Sequence, residues 1–118
     1  MKWRETEAMS ESVPMPEAGV IDDAAHTFSL LASPPRLQLL WVLAQHERDV
    51  GELTDLLGAS GPSVSQHLAK LRLAGLVSAR RMGKHQLYRV DDPHVVELVR
   101  QAIDHHEDLR GRASTGSR

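Results

Sequence analysis

The chain contains no cysteine. Disulfides, thiolate metal sites, iron–sulfur clusters, cysteine nucleophiles and thiol redox sensing are therefore excluded. Any metal must be held by histidine, aspartate or glutamate. Aromatic residues are almost as scarce: Trp3, Phe28, Trp41 and Tyr88 are the only four in 118 residues. A core built mainly from leucine and valine suits packed helices better than a sandwich of aromatic-rich strands. No apolar run approaches the ~18 residues that read as a bilayer span. The charged first residues, 1–11, lack the apolar stretch of a secretion signal. No membrane partner and a cytoplasmic location are expected. A further absence concerns one sign of charge. From Leu56 to Val90 there is no Asp or Glu, while Lys70, Arg72, Arg80, Arg81, Lys84 and Arg89 all fall there, in a chain whose net charge is −2. A basic block inside an acidic protein is a footprint for a polyanion, with a solvated charged face as the plainer alternative.

Residues 1–19, with Pro14, Pro16, Gly19 and scattered acids, read as a flexible arm. Val20, Ala24, Phe28 and Leu31 recur at helical spacing and predict a first helix. Ser33-Pro34-Pro35 breaks it and caps a second, whose expected buried stripe is Leu37, Leu40, Trp41 and Ala44. Asp49 and Glu52 form a capping box for a short third helix burying Leu53, Leu56 and Leu57, with Gly58 as its stop. Gly61-Pro62 opens a fourth helix ending at Gly75. Two short strands follow, 76–81 and 86–90, joined by a turn at Met82-Gly83-Lys84-His85. Asp92-Pro93 opens a last helix to about Leu109, and residues 110–118 read as a disordered tail. The expectation is a mainly α fold with a small β-hairpin: a winged helix-turn-helix over residues 20–109.

On the fourth helix Val64, Leu68 and Leu71 form the core stripe, and the outer side carries Ser63, Ser65, Gln66 and Lys70, with His67 on the flank. Small and hydrogen-bonding residues with one lysine suit a helix pressed into a DNA major groove. Gln reads adenine, Ser reaches base or phosphate, and Lys reaches guanine or phosphate. Arg80, Arg81 and Lys84 are expected near the wing tip, where they would touch phosphate or the minor groove. His26 and His46 have no partner in the sequence pattern.

The last helix carries the sharper signal. Leu98, Val99, Ala102 and Leu109 form its expected buried face, and His106 falls among them as a packing residue. His94, His105 and Asp108 share a narrow stripe beside that face, and Asp92 sits just before the helix. The two histidines are eleven residues apart, a rise of ~16 Å, too far to share one ion within a chain. Two such helices packed antiparallel about a two-fold axis bring Asp92 and His94 of one protomer to His105 and Asp108 of its partner. Two imidazoles and two carboxylates suit tetrahedral Zn(II) or Co(II), in a regulatory or structural site with no open position. From spacing alone the alternative stands that Asp92 only caps the helix and that His105 and Asp108 are surface residues.

The segment Gly61-Pro-Ser-Val-Ser-Gln-His-Leu-Ala-Lys-Leu-Arg-Leu-Ala-Gly-Leu-Val77 resembles the reading-helix motif of the ArsR/SmtB family of bacterial metal-responsive repressors. Arg80-Arg-Met-Gly-Lys-His-Gln-Leu-Tyr-Arg89 is similar to that family's wing, and the resemblance covers roughly residues 20–109. It implies a homodimer joined through the first and last helices. One class of the family senses metal with cysteines before the reading helix; Asp49–Leu56 here has none. Another uses Asp-x-His at the start of the last helix and His-x-x-Glu or His-x-x-His near its end, which Asp92, His94, His105 and Asp108 match with the same interval. The departure is Asp108, shorter than the usual Glu or His. The family's nickel and cobalt sensors draw extra ligands from their tails. No histidine follows Asp108 or precedes His26 here, which favours Zn(II) over Ni(II) or Co(II). The implied mechanism is that the metal-free dimer holds a double-stranded operator with two half-sites and blocks transcription, and that metal opposes DNA binding.

Three alternatives compete with this reading. The first is a winged-helix repressor with a non-metal effector. An enzyme lacks support, since there is no His-Glu-x-x-His helix, phosphate-binding glycine loop or Gly-x-Ser-x-Gly elbow. A pure dimerisation module leaves the basic block unexplained.

Overall fold

A computed structural model describes residues 12–116. The helices are α1 (Val20–Leu31), α2 (Pro34–Gln45), α3 (Val50–Leu57), α4 (Gly61–Leu73) and α5 (Pro93–Gly116). A hairpin of β1 (Ser78–Met82) and β2 (His85–Arg89) separates α4 from α5. This is the expected mainly α winged helix-turn-helix. Residues 1–11 of the expected arm, with Trp3, and 117–118 of the expected tail lie outside the described residues. Residues 12–17 carry no regular element, and a turn at 18–19 leads into α1.

Local signals set most boundaries. The Ser33 hydroxyl accepts from the Arg36 N–H, with proline in the first turn of α2. The Asp49–Glu52 box closes in both directions: Asp49 Oδ1 accepts from Glu52 N at 2.8 Å, and Glu52 Oε1 accepts from Asp49 N at 3.0 Å. Two of the orphan amides at the start of α3 are satisfied this way. Gly58 ends α3 with φ of 63°, a left-handed conformation that costs glycine nothing. Ser60 then caps α4 by accepting from Ser63 N at 3.2 Å. The break between α3 and α4 is thus only Gly58 to Ser60, which fixes the angle between the two helices of the motif. The hairpin is shorter than its expected turn. Met82 pairs with His85, so only Gly83 and Lys84 lie between the strands.

The core is aliphatic. Leu39, Leu40, Leu43, Leu53, Val64, Leu68, Leu71 and Val99 are essentially inaccessible, and Leu31, Leu76, Val77, Val90 and Val95 join them. Three expectations about burial are corrected. In α2 the deepest residues are Leu39, Leu40 and Leu43, while Leu37, Trp41 and Ala44 are half-buried on the flank that meets α5. In α3, Leu56 is exposed because so short a helix turns only one narrow side, centred on Leu53, to the core. In α5, Val95 and Val99 are buried and Val96 and Ile103 pack beside them, but Leu98, Ala102, His106 and Leu109 are exposed. His106 is therefore not a packing residue within the chain. The apolar residues of α5 face two directions, and only one is filled by the chain's own core.

The last helix also runs further than expected, continuing past Leu109 to Gly116. Arg110, Arg112 and Ala113 are good helix formers. No helix among the described residues is long and apolar enough to cross a membrane.

Candidate nucleic-acid interface and metal ligands

Val64, Leu68 and Leu71 anchor α4 to the core, which turns the opposite side outward. Ser65, Gln66 and Lys70 are exposed there, and Ser63 and His67 are half-buried on the flanks. The outward side expected for Gln66 and Lys70 is the observed one, whereas Ser63, expected beside them, is half-buried on the flank. Lys70 and Arg72 lie in the last turn, and neither forms an ion pair among the described residues.

The register of the hairpin sorts its side chains. Arg80 lies opposite Leu87 and Met82 opposite His85, on one face; Ala79 opposite Tyr88 and Arg81 opposite Gln86 form the other. The first face docks on the loop between α2 and α3. Arg48 and Tyr88 exchange backbone hydrogen bonds of 3.1 and 2.8 Å, adding a short third rung to the sheet. On either side of it lie an ion pair and a histidine–carboxylate contact. Arg80 Nε donates to Glu47 Oε2 at 3.1 Å, and its terminal nitrogen donates to Glu47 Oε1. His85 Nδ1 lies 3.3 Å from Asp49 Oδ2. Arg80 is therefore engaged by the body of the protein and is not free at the wing tip, unlike Arg81 and Lys84. The hydrogen bond from Arg80 holds the Glu47 carboxyl below its usual range, and the charges of Arg80, Arg89 and His46 add to this. Because the shift is downward, the pair persists through neutral pH and loosens only as pH falls through that lowered value.

At the other end of the chain Asp92 caps α5. Its Oδ1 accepts from the backbone N–H of His94 at 2.8 Å and lies 3.1 Å from His94 Nδ1. The His94 backbone amide, then its ring, hold the Asp92 carboxyl below the usual range. The cap therefore brings Asp92 and His94 together as one pair of donors. His105 and Asp108, both exposed, lie three residues apart and form a second pair on the same helix. The His105 and His106 rings meet edge to face, with centroids 5.0 Å apart. Among the described residues, no three His, Asp or Glu side chains gather closely enough to hold an ion. One chain therefore carries two separated pairs of donor-type side chains, each with one imidazole and one carboxylate. That donor chemistry fits a transition metal only if a second chain joins the halves.

Some features escaped the sequence pattern. Glu47 is the partner of Arg80 across a separation of 33 residues. Arg72, Leu73 and Tyr88 border a groove beside α4. The acid-free stretch that contains them was the only available signal.

Comparison with known proteins agrees with this architecture. Residues 33–79 match the family model described as bacterial regulatory protein, arsR family. The HTH-type transcriptional regulator KmtR of Mycobacterium tuberculosis is 50% identical over 76 residues, 64% of this chain and 58% of that protein. The HTH-type transcriptional repressor SmtB of the same organism is 38% identical over 90 residues, 76% of this chain and 67% of that protein. The chain thus matches less than two thirds of the length of KmtR. Among solved structures, the homodimeric winged helix-turn-helix DNA-binding domain Mb0332 of Mycobacterium bovis superposes with a TM-score of 0.71 at 32% identity, covering 83% of this chain and 91% of that one. These relatives are regulators with a DNA-binding fold, not enzymes.

Proposed function

The chain belongs to the arsR family of bacterial regulatory proteins, and from that premise we propose that it is a dimeric, metal-responsive transcriptional repressor acting in the cytoplasm. It holds a two-half-site DNA operator when metal-free and releases it on binding Zn(II). The observation that carries the metal reading is the pair of half-sites on α5, Asp92 with His94 and His105 with Asp108, neither of which has enough donors alone.

The dimer is supported by the apolar residues that the single chain leaves uncovered. Val20, Ile21 and Phe28 of α1 and Leu98 and Leu109 of α5 are all at least 39% exposed. Burying such stripes against a second copy is favourable by about 25 cal/mol per Å² of apolar surface. Two α5 helices packed antiparallel then place Asp92 and His94 of one protomer beside His105 and Asp108 of the other. Those two imidazoles and two carboxylates would hold Zn(II), which would supply a strong cross-link between the protomers. Asp92 and Asp108 are the shorter-reaching of the four donors.

A path from α5 to the DNA exists in the packing. Val95 and Val99 fasten α5 to α2, and α2 packs in turn on α4. Fixing the two α5 helices therefore fixes the separation of the two reading helices. A dimer reads half-sites about 34–36 Å apart only when that separation fits. A coupling of about 1–3 kcal/mol, typical of linked sites, weakens DNA binding about 5- to 150-fold. The test is fluorescence anisotropy of an operator duplex, selected by the protein from a random library, with and without Zn(II). A loss of affinity in that range is expected. Release by Ni(II) or Co(II) but not Zn(II) would reassign the metal, and indifference to all three would remove the metal response.

On DNA, Ser63, Ser65, Gln66, His67 and Lys70 of α4 are proposed to enter the major groove, with Arg81 and Lys84 on the adjacent backbone or minor groove. Arg80 is assigned a lesser share because Glu47 already engages it. Arg81→Gln is accordingly expected to flatten the salt dependence of DNA binding by about 0.9 per protomer, whereas Arg80→Gln leaves the slope nearly unchanged. Equal effects would contradict the role given to Glu47.

A further inference from the structure

Beside α4 lies an open groove of about 500 Å³, lined by Ser65, Ala69, Arg72 and Leu73 from the helix and Tyr88 from β2. From this geometry we propose that the groove seats one sugar-phosphate strand of the operator, with Arg72 as its phosphate ligand and Leu73 and Tyr88 as its contacts to the sugar edge. The inference rests on the DNA-binding reading above and adds to it a site between the helix and the wing.

The first support is topological. A helix in the major groove and a wing on the adjacent minor groove lie on either side of one DNA backbone, which has to pass between them. This groove is the space between those two elements. The second support is charge. Its lining contains no carboxylate, and Arg72 forms no ion pair among the described residues. By the register, Arg81 lies on the same hairpin face as Tyr88, so a second cation stands at the edge. The two cations on the opposite hairpin face differ: Arg80 is paired with Glu47, and Arg89 with Asp91 at 2.7 Å. Among the described residues, both cations of the opposite face are thus paired, whereas Arg81 on the groove face forms no ion pair. The third support is Leu73, which is 92% exposed. A leucine so exposed at the end of a reading helix has no packing role in the chain. Beside an arginine it matches the alternation of phosphate and apolar deoxyribose along a DNA strand.

A backbone contact positions the protein without reading sequence. The test is anisotropy of two 30-base-pair duplexes, one selected by the protein from a random library and one of random sequence, across a salt series. Arg72→Gln is expected to weaken both duplexes equally. The slope of log affinity against log salt becomes shallower by about 2 per dimer, at about 0.9 per phosphate, and affinity at 0.1 M salt falls roughly 10- to 100-fold. Arg72→Lys retains the slope, and thermal melting of both variants matches the wild type. Gln66→Ala, by contrast, loses affinity mainly for the selected duplex. An unchanged slope in Arg72→Gln, with Gln66→Ala still impaired, would show that no strand lies in the groove and overturn the proposal while leaving the DNA reading intact. A loss confined to the selected duplex would make Arg72 a base reader and overturn it too. Failure of the wild-type protein to bind either duplex would overturn both.

Discussion

His105→Ala is expected to yield a protein that binds its operator as tightly as the wild type and no longer releases it when Zn(II) is added. His105 is exposed on α5, and among the described residues no hydrogen bond or ion pair of its side chain connects it to the core or to α4. Its removal should therefore leave folding and DNA contact unchanged. Its loss takes one of four proposed donors from each shared site. Perturbing even an outer-shell partner of a metal typically costs about 10- to 100-fold in affinity, so loss of a direct donor should cost at least the upper end of that range. The wild-type change in DNA affinity on adding Zn(II), about 5- to 150-fold, should shrink to less than about twofold. Calorimetry with Zn(II), alongside anisotropy of the operator with and without metal, separates the two effects. Normal zinc release in the variant would remove His105 from the site. Loss of DNA binding in the metal-free variant would mean that the residue has a structural role.

The second large effect concerns stability. Leu40 in α2 is completely inaccessible, while Leu56 in α3 is 54% exposed. Leu40→Ala should cost about 2–5 kcal/mol, the transfer free energy plus the cavity left behind. Against a total of about 5–15 kcal/mol that is a large share of the stability of the fold. Leu56→Ala should lie within about 0.5 kcal/mol of the wild type. Urea denaturation at one fixed protein concentration compares them, since a dimer's apparent stability depends on concentration. A comparable loss for Leu56→Ala would mean that its exposed side is covered in the assembled protein.

The contrast between these leucines shows what the sequence could and could not reveal. Capping residues act within three positions of themselves. Ser33, Asp49 with Glu52, and Gly58 were therefore legible, and each marks a boundary where expected. The outer face of α4 was legible because its polar and apolar residues alternate cleanly at helical spacing. Helix α2, PPRLQLLWVLAQ, is apolar on nearly every side, so its period does not say which side is buried. That choice fell to the packing of α5 and α4 around it. Helix α5 carries apolar residues for two different surfaces, and a single wheel merges them. The wheel therefore places His106 in a core that it does not enter. The engagement of Arg80 by Glu47 depends on a chain crossing that no local spacing encodes. For the proposed metal site, the spacing of Asp92, His94, His105 and Asp108 already separates two pairs, and the capped α5 keeps them apart.

The claim that these halves combine across a dimer is tested most directly by complementation. His94→Ala and His105→Ala proteins are each titrated with Co(II), whose tetrahedral complexes absorb intensely in the visible, and then mixed, allowed to exchange subunits, and titrated again. A two-fold interface pairs each donor with its counterpart on the other chain, so a mixed dimer holds one site with both imidazoles intact. The account predicts no intense bands from either variant alone. The mixture should give bands at about one quarter of the wild-type intensity, since half the dimers are mixed and each regains one of two sites. Subunit exchange without any return of the bands would contradict a metal site shared between the two α5 helices.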